Sequence, residues 1–276
     1  MKKLLILSTA LTGVTFGAQA ADVTVMSWGG AYVTSQIEAY HKPFTATTGI
    51  NVISVDADNP ATPIKAQVEA GNVTVDVADV EYADAIRLCD EGLLESIDPA
   101  VLPAAPDGTP ATEDFLPGAL TDCAVASIVF STVFAYDTTK FPEGPTKISD
   151  FFDLEKFPGK RGIRKGAKAN LEMALMADGV PAAEVYALLE TPEGVDRAFA
   201  KLDTIKADTV WWEAGAQPPQ LLADGEVTMT TAYNGRIFAA AIAENKPFEV
   251  VWDGQVYEYD LFVIPKGAPN KDAALE

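Results

Sequence analysis

Residues 23–55, VTVMSWGGAYVTSQIEAYHKPFTATTGINVISV, read as strand, turn, helix and strand. Val23–Met26 is a short apolar run. Trp28-Gly29-Gly30 interrupts it with a turn, a helix is predicted from about Ala31 to Thr45, and Gly49 returns the chain to a strand over Asn51–Val55. The same alternation continues outward. Pro60 and Pro63 open a helix that runs to Ala70 and ends at Gly71. Val73–Val80 reads as a buried strand, and Ala83–Glu91 as a helix closed by Gly92. Strands alternating with helices imply a mainly parallel α/β sheet with helices on both faces.

Residues 98–118 are rich in Pro, Gly and Asp and read as a loop. Val125–Tyr136 is a long β-branched strand, able to run through a core or to cross between two lobes. A second α/β stretch follows the loop Pro142–Pro145. Its strands are expected at Arg161–Ile163, Thr209–Trp212, Val227–Thr231, Val250–Trp252 and Tyr257–Ile264. Its helices are expected at Leu171–Ala177, Pro181–Leu189, Gln217–Ala223 and Ile237–Glu244, with another opened by Thr191-Pro192-Glu193 and reaching about Ile205. That tripeptide combines a capping hydroxyl, a proline at the first helical position and an acid in the first turn. The last residues, Asn270 to Glu276, read as the opening of a helix without a stop signal, so a fragment of a longer chain is expected.

The N-terminus carries an address. Lys2 and Lys3 precede an apolar run, Leu4 to Phe16, that is too short to span a bilayer. Ala18-Gln19-Ala20 places small residues where a signal peptidase reads, so cleavage after about Ala20 and a periplasmic location are expected. No later segment reads as a membrane anchor. Residues 1–20 hold two lysines and no acid, so their removal takes the formal charge from -20 to -22. Such an acidic chain repels nucleic acid and anionic membranes. In an oxidising compartment Cys89 and Cys123, the two cysteines, are expected to form a disulfide.

Catalytic signatures are scarce. His41 is the sole histidine and lies beside Lys42-Pro43 near a helix end, where a surface role is expected over catalysis. There is no GxSxG, HExxH or paired His–Cys arrangement. Asp56-Ala57-Asp58-Asn59-Pro60 starts like a calcium loop but lacks its glycine and closing glutamate. No metal, cofactor or enzymatic activity is expected. A secreted hydrolase using two carboxylates stays open as the alternative, because 40 acidic residues leave many pairs possible.

Aromatic and charged residues gather at strand ends, where ligands bind in open α/β sheets. Trp28 and Tyr32 follow the first strand, and Asp79-Val80-Glu81-Tyr82 ends the third. Trp212 closes a later strand, Tyr233-Asn234-Gly235-Arg236 follows another, and Glu258-Tyr259-Asp260 opens a late one. The predicted ligand-binding set is Trp28, Tyr32, Glu81, Trp212, Tyr233, Arg236 and Asp260. Aromatic faces with a few fixed charges suit a ligand bearing an ammonium group.

These residues carry a family resemblance. The chain resembles the periplasmic solute-binding proteins of ABC transporters, of the spermidine/putrescine type. The marks are Trp28-Gly29-Gly30-x-Tyr32, Val75-Asp76-Val77, Leu93-Leu94, Phe157-Pro158-Gly159-Lys160-Arg161 and Leu222-Ala223-Asp224-Gly225-Glu226-Val227. The resemblance implies a two-lobe periplasmic-binding-protein fold, type II-like, in which each lobe is a mainly parallel sheet flanked by helices and a cleft lies between. It places a first lobe at 21–132, a second at 133–256, and a return to the first at 257–276, cut short at the C-terminus. It also implies a monomer that hands a small amine or amino acid to an inner-membrane ABC permease.

The sequence departs from the polyamine pattern. The stretch matching the family's acidic amine-binding segment is Lys165-Gly166-Ala167-Lys168-Ala169, which is basic. Arg236 stands where the family's aromatic-x-Gly-Asp element has Asp, whereas Asp260 keeps its acid. A diamine would bring a like charge to Arg236 in a desolvated site. A zwitterion such as γ-aminobutyrate satisfies both charges. The polyamine alternative requires Arg236 to turn outward and pair with Glu258 or Glu213.

Overall fold

The computed structural model describes residues 22–276. The expected signal peptide, residues 1–20, lies outside the described residues. The strands are β1 (Val23–Ser27), β2 (Val52–Asp56), β3 (Val77–Glu81), β4 (Ala124–Asp137), β5 (Arg161–Arg164), β6 (Thr209–Trp212), β7 (Met229–Tyr233) and β8 (Phe248–Val263). They form one hydrogen-bonded ladder in the order β2-β1-β3-β8-β4-β7-β5-β6. At its two ends lie parallel sets, β2-β1-β3 and β7-β5-β6. The long strands β4 and β8 run antiparallel through the middle and belong to both halves.

Each half has its own core. Ile64, Val80, Leu88 and Leu261 pack the first, and Phe134, Phe151, Ile163 and Met229 pack the second. Burial of a side chain of this kind stabilises by about 1.5–3 kcal/mol relative to leaving it in water. The β4–β8 ladder slips where the halves meet. Thr132 faces Val256, but Phe134, two residues on, faces Val251, so Trp252–Gln255 bulge out of register.

The sequence reading and the structure differ in several elements, and the predicted loop 98–118 holds a short helix at Ala111–Asp114. Val250–Trp252 and Tyr257–Ile264 are parts of the single strand β8, because the bulge between them keeps the strand continuous. The third strand begins at Val77, since Val73–Asp76 is occupied by turn contacts: Asp76 is fully buried and accepts from the amides of Thr24 and Asn270. β7 is shifted two residues toward the C-terminus, to Met229–Tyr233. The following helix starts at Asn234, whose Oδ1 accepts from the Ser131 amide of β4 and ties the helix to the sheet. Thr191 caps its helix as the sequence indicates, Oγ1 accepting from the Gly194 amide at 3.1 Å.

Arg161, in the Phe157–Arg161 motif, is structural. Fully buried, it donates to the carbonyls of Phe151, Phe157 and Gly159 and so holds the loop before β5. Burial lowers its pKa to about 10. Cys89 and Cys123 are disulfide-bonded, with Cα atoms 5.9 Å apart, and tie the helix Tyr82–Asp90 to the start of β4. Among the described residues no helix is long and apolar enough to cross a membrane.

Candidate functional site

The C-terminal ends of β1, β3, β5 and β7 point to the junction of the two halves, and a cavity of about 420 Å³ opens there. Trp28, Tyr32, Glu81, Tyr233, Arg236 and Asp260 all line it. Trp212 does not. It is 1% exposed and packs edge-on to Tyr233, centroids 5.9 Å apart, with the Phe130 ring edge-on to Tyr233 as well, at 5.4 Å. Trp212 thus sets the orientation of a wall residue from behind.

The turn after β1 explains the glycines in Trp28-Gly29-Gly30. Gly30 has φ +61°, and a Cβ there would come within 3.0 Å of Arg236 Nη1. Gly215 is tight from the other side, where a Cβ would lie 2.9 Å from both Arg236 Nε and Tyr233 Cε2. The two glycines let Arg236 reach across the cleft, where its Nη2 donates to the Trp28 carbonyl at 3.0 Å. Arg236 is buried and, among the described residues, makes no ion pair. Glu213 pairs with Lys165 and Glu258 with Lys168, so neither draws the guanidinium outward. Burial opposes its charge and lowers its pKa, with nearby Tyr233 and Asp260 acting the other way.

Asp260 stands opposite Glu81 across the β3–β8 pair and is 6% exposed. Among the described residues its Oδ1 has no hydrogen-bond partner, and neither do Trp28 Nε1 and Tyr32 Oη. Burial, then the charges of Asp79 and Glu81, push the Asp260 carboxyl well above the usual range. Asp79, fully buried behind it, accepts from Gln36 Nε2 at 2.7 Å and Ser27 Oγ at 3.0 Å. Burial still lifts Asp79 to about 6. Burial and these same acids raise the Tyr32 hydroxyl, so it is a neutral donor.

Glu81 behaves differently from its neighbour. Burial pushes it up, but Lys168 and Arg164 outweigh burial and hold it below the ordinary carboxylate value. Arg164 Nη1 donates to Glu81 Oε1 at 2.9 Å, and Lys168 Nζ contacts Glu81 Oε2. Lys168 also reaches Glu258 at 3.3 Å. The Arg164 guanidinium stands 6.0 Å from the Trp28 ring centroid and 5.8 Å from that of Tyr233. Sequence reasoning passed over Arg164 because it ended the strand at Ile163. One more residue of β5 puts Arg164 at the strand's C-terminal end, the position that marked the other residues. Lys168 was read only as a basic departure, and its partner Glu81 lies 87 residues away in sequence.

The site therefore holds one buried carboxylate without a partner, two guanidinium groups and aromatic walls. Residues 39–276 match the family model of bacterial extracellular solute-binding proteins. The chain is 48% identical over 269 residues to a gamma-aminobutyric acid-binding protein of Pseudomonas aeruginosa, covering 96% of this chain and 74% of that one. It is also similar to the solved structure of MotA from A. tumefaciens B6 in complex with glucopine, with 35% identity, TM-score 0.84, and 92% and 76% of the two chains covered. A solved GABA receptor gives 38% identity and TM-score 0.76 over 92% and 75%. The chain belongs to the bacterial extracellular solute-binding proteins, and its two-lobe α/β fold is theirs.

Proposed function

We propose that this solute-binding protein captures a small zwitterionic amino acid of the γ-aminobutyrate type and releases it to an ABC permease of the inner membrane. The observation that carries the reading is the Asp260 carboxylate, buried and without a protein partner, in the same cavity as an Arg236 guanidinium that has no acid. The ligand's ammonium sits at Asp260 against Trp28 and Tyr32. Its carboxylate meets Arg236, with Arg164 beside it. A charge-assisted pair at each end fixes the orientation of a flexible chain. The similarity to a gamma-aminobutyric acid-binding protein and to a GABA receptor supports this choice. A diamine is disfavoured, since its second ammonium would face Arg236 or Arg164 in a desolvated space.

The hinge of this trap lies at the register slip of β4 and β8, giving lobes at 21–132 with 257–276, and at 133–256. Three cross-cleft contacts, Arg236 to Trp28, Arg164 to Glu81 and Lys168 to Glu81, then belong to the closed form. The mature chain starts after about Ala20, works in the periplasm as a monomer, and turns nothing over.

Calorimetric titration with γ-aminobutyrate, butyrate and putrescine tests the ligand. Binding of γ-aminobutyrate with weak or no binding of the other two is expected. Heat from putrescine alone would refute the zwitterion. Recovery of chemically altered ligand after incubation would favour the two-carboxylate hydrolase.

A further inference from the structure

The ion-pair network that begins at the cleft does not end there. Lys168 and Glu258 line a second cavity of about 410 Å³ that shares no lining residue with the first. Tyrosines surround it. Tyr82 and Tyr259 form one wall, with ring centroids 6.2 Å apart, and Tyr259 Oη donates to the Pro117 carbonyl at 3.2 Å. Tyr186 and Tyr257 form another and are 62% and 68% exposed, large values for aromatic side chains. The remaining charged residue is Glu172, whose Oε2 is inaccessible to solvent and has no partner among the described residues.

We infer that this tyrosine-lined groove is a second binding site, for an organic ammonium ion, separate from the cleft that takes the amino acid. The charges support a cation. Three carboxylates, Glu81, Glu172 and Glu258, share two cations, Arg164 and Lys168, and both cations turn to Glu81. Glu258 keeps only the longer contact with Lys168. Burial and the charge of Glu81 lift it to about 7 despite that lysine. Glu172 is raised by burial, partly offset by backbone N–H groups at its helix start. The groove's own lining thus sets two carboxylates, Glu172 and Glu258, against one cation, Lys168, which is turned to Glu81. Among the described residues no group of three or more His, Cys, Asp or Glu is placed to hold a metal ion. Four tyrosine faces beside carboxylates are instead the surroundings in which aromatic rings bind ammonium groups. The inference does not depend on which solute the main cleft takes.

Tetramethylammonium is the probe, with tert-butanol as a neutral molecule of similar shape. Each is titrated into the full chain, followed by NMR shifts or calorimetry. Tetramethylammonium is expected to bind and tert-butanol not. Tyr186→Ala and Glu172→Gln should each weaken tetramethylammonium at least fivefold. Tyr186 is exposed and lies away from the register slip of β4 and β8, so its variant keeps the fold and its affinity for γ-aminobutyrate, which serves as the control. Asp260→Asn should leave tetramethylammonium binding intact. The site is refuted if wild type does not bind the probe, if tert-butanol binds equally, if neither groove variant weakens it, or if Asp260→Asn abolishes it. Failure of γ-aminobutyrate to bind wild type would strike the main-cleft reading alone.

Discussion

The two walls of the cleft carry opposite charge. The wall built on β3 and the C-terminal part of β8 supplies Asp79, Glu81 and Asp260, all buried. The wall built on β5 and the helix after β7 supplies Arg164 and Arg236, with Lys168 beyond. The cleft therefore sets unlike charges against each other, yet not all of them pair. Glu81 takes two cations, whereas Asp260 takes none. Asp79 is held by the neutral donors Gln36 and Ser27, which leaves Asp260 and Arg236 as the unspent charges lining the cavity, the complement of a zwitterion. Under the proposed function, a ligand that bridges them neutralises both walls.

The strongest way to break this comparison is to remove a surplus charge. Asp260→Asn and Arg236→Ala each leave one ligand charge unpaired in a desolvated site, which costs about 2–5 kcal/mol. A loss of γ-aminobutyrate affinity of about thirtyfold or more is expected by calorimetry, with butyrate gaining on γ-aminobutyrate in Asp260→Asn. Equal small losses in both variants would show that the walls do not divide the ligand's two charges.

The next effect concerns stability and falls on one wall. The Cys89–Cys123 bridge closes a loop of 34 residues in the carboxylate-bearing half. By the chain-entropy argument its loss costs about 3–4 kcal/mol. Thermal or urea unfolding of a Cys89→Ala/Cys123→Ala variant, compared with wild type, checks this. Proteolysis during partial unfolding should cut the first half before the second.

The contacts between walls come next. Arg164→Ala leaves Glu81 with Lys168 alone and opens one edge of the cleft. Ligand dissociation about tenfold faster is expected in stopped-flow fluorescence, with less change in association, because short-range contacts act mainly on the off-rate. Unchanged dissociation would show that the pair merely satisfies Glu81.

The smallest effect is that of pH. Asp79 at about 6 and Glu258 at about 7 hold protons more tightly in the folded chain than in the unfolded one. These groups therefore favour the folded state at low pH, and that advantage fades as pH rises from about 4 to 7. Asp260 is raised as well, and a ligand ammonium favours its ionised form. Affinity should then rise with pH, by a few-fold. The shift in Tm produced by γ-aminobutyrate is expected to be larger at pH 8 than at pH 5, and Asp260→Asn should remove most of the difference.

Much of the fold was legible because its signals are local. Gly49, Gly71 and Gly92 close helices, and the apolar runs around them have strand length. The single β8 was not legible, since Trp252–Gln255 looks like a turn until β4 is seen alongside it. In the site, the aromatic and charged residues at strand ends stood out as a class. Trp212 fitted the class and proved to be a support behind Tyr233, because alternation along a short strand does not say which face meets the cavity. Arg164 escaped because a strand boundary was one residue short.

The sequence by itself determined the alternation of strands and helices, the pairing of the two cysteines, the family resemblance and the replacement of an acid by Arg236. These follow from residue type and spacing along the chain. Only the tertiary structure decided which charges remain unspent. Glu81 and Asp260 are both acids from facing strands, and nothing in their local sequence separates them. Arg164 and Lys168, more than 80 residues from Glu81, neutralise one and not the other. The physical reason is that a buried charge is defined by what stands within a few ångströms of it, and folding brings those neighbours from remote parts of the chain.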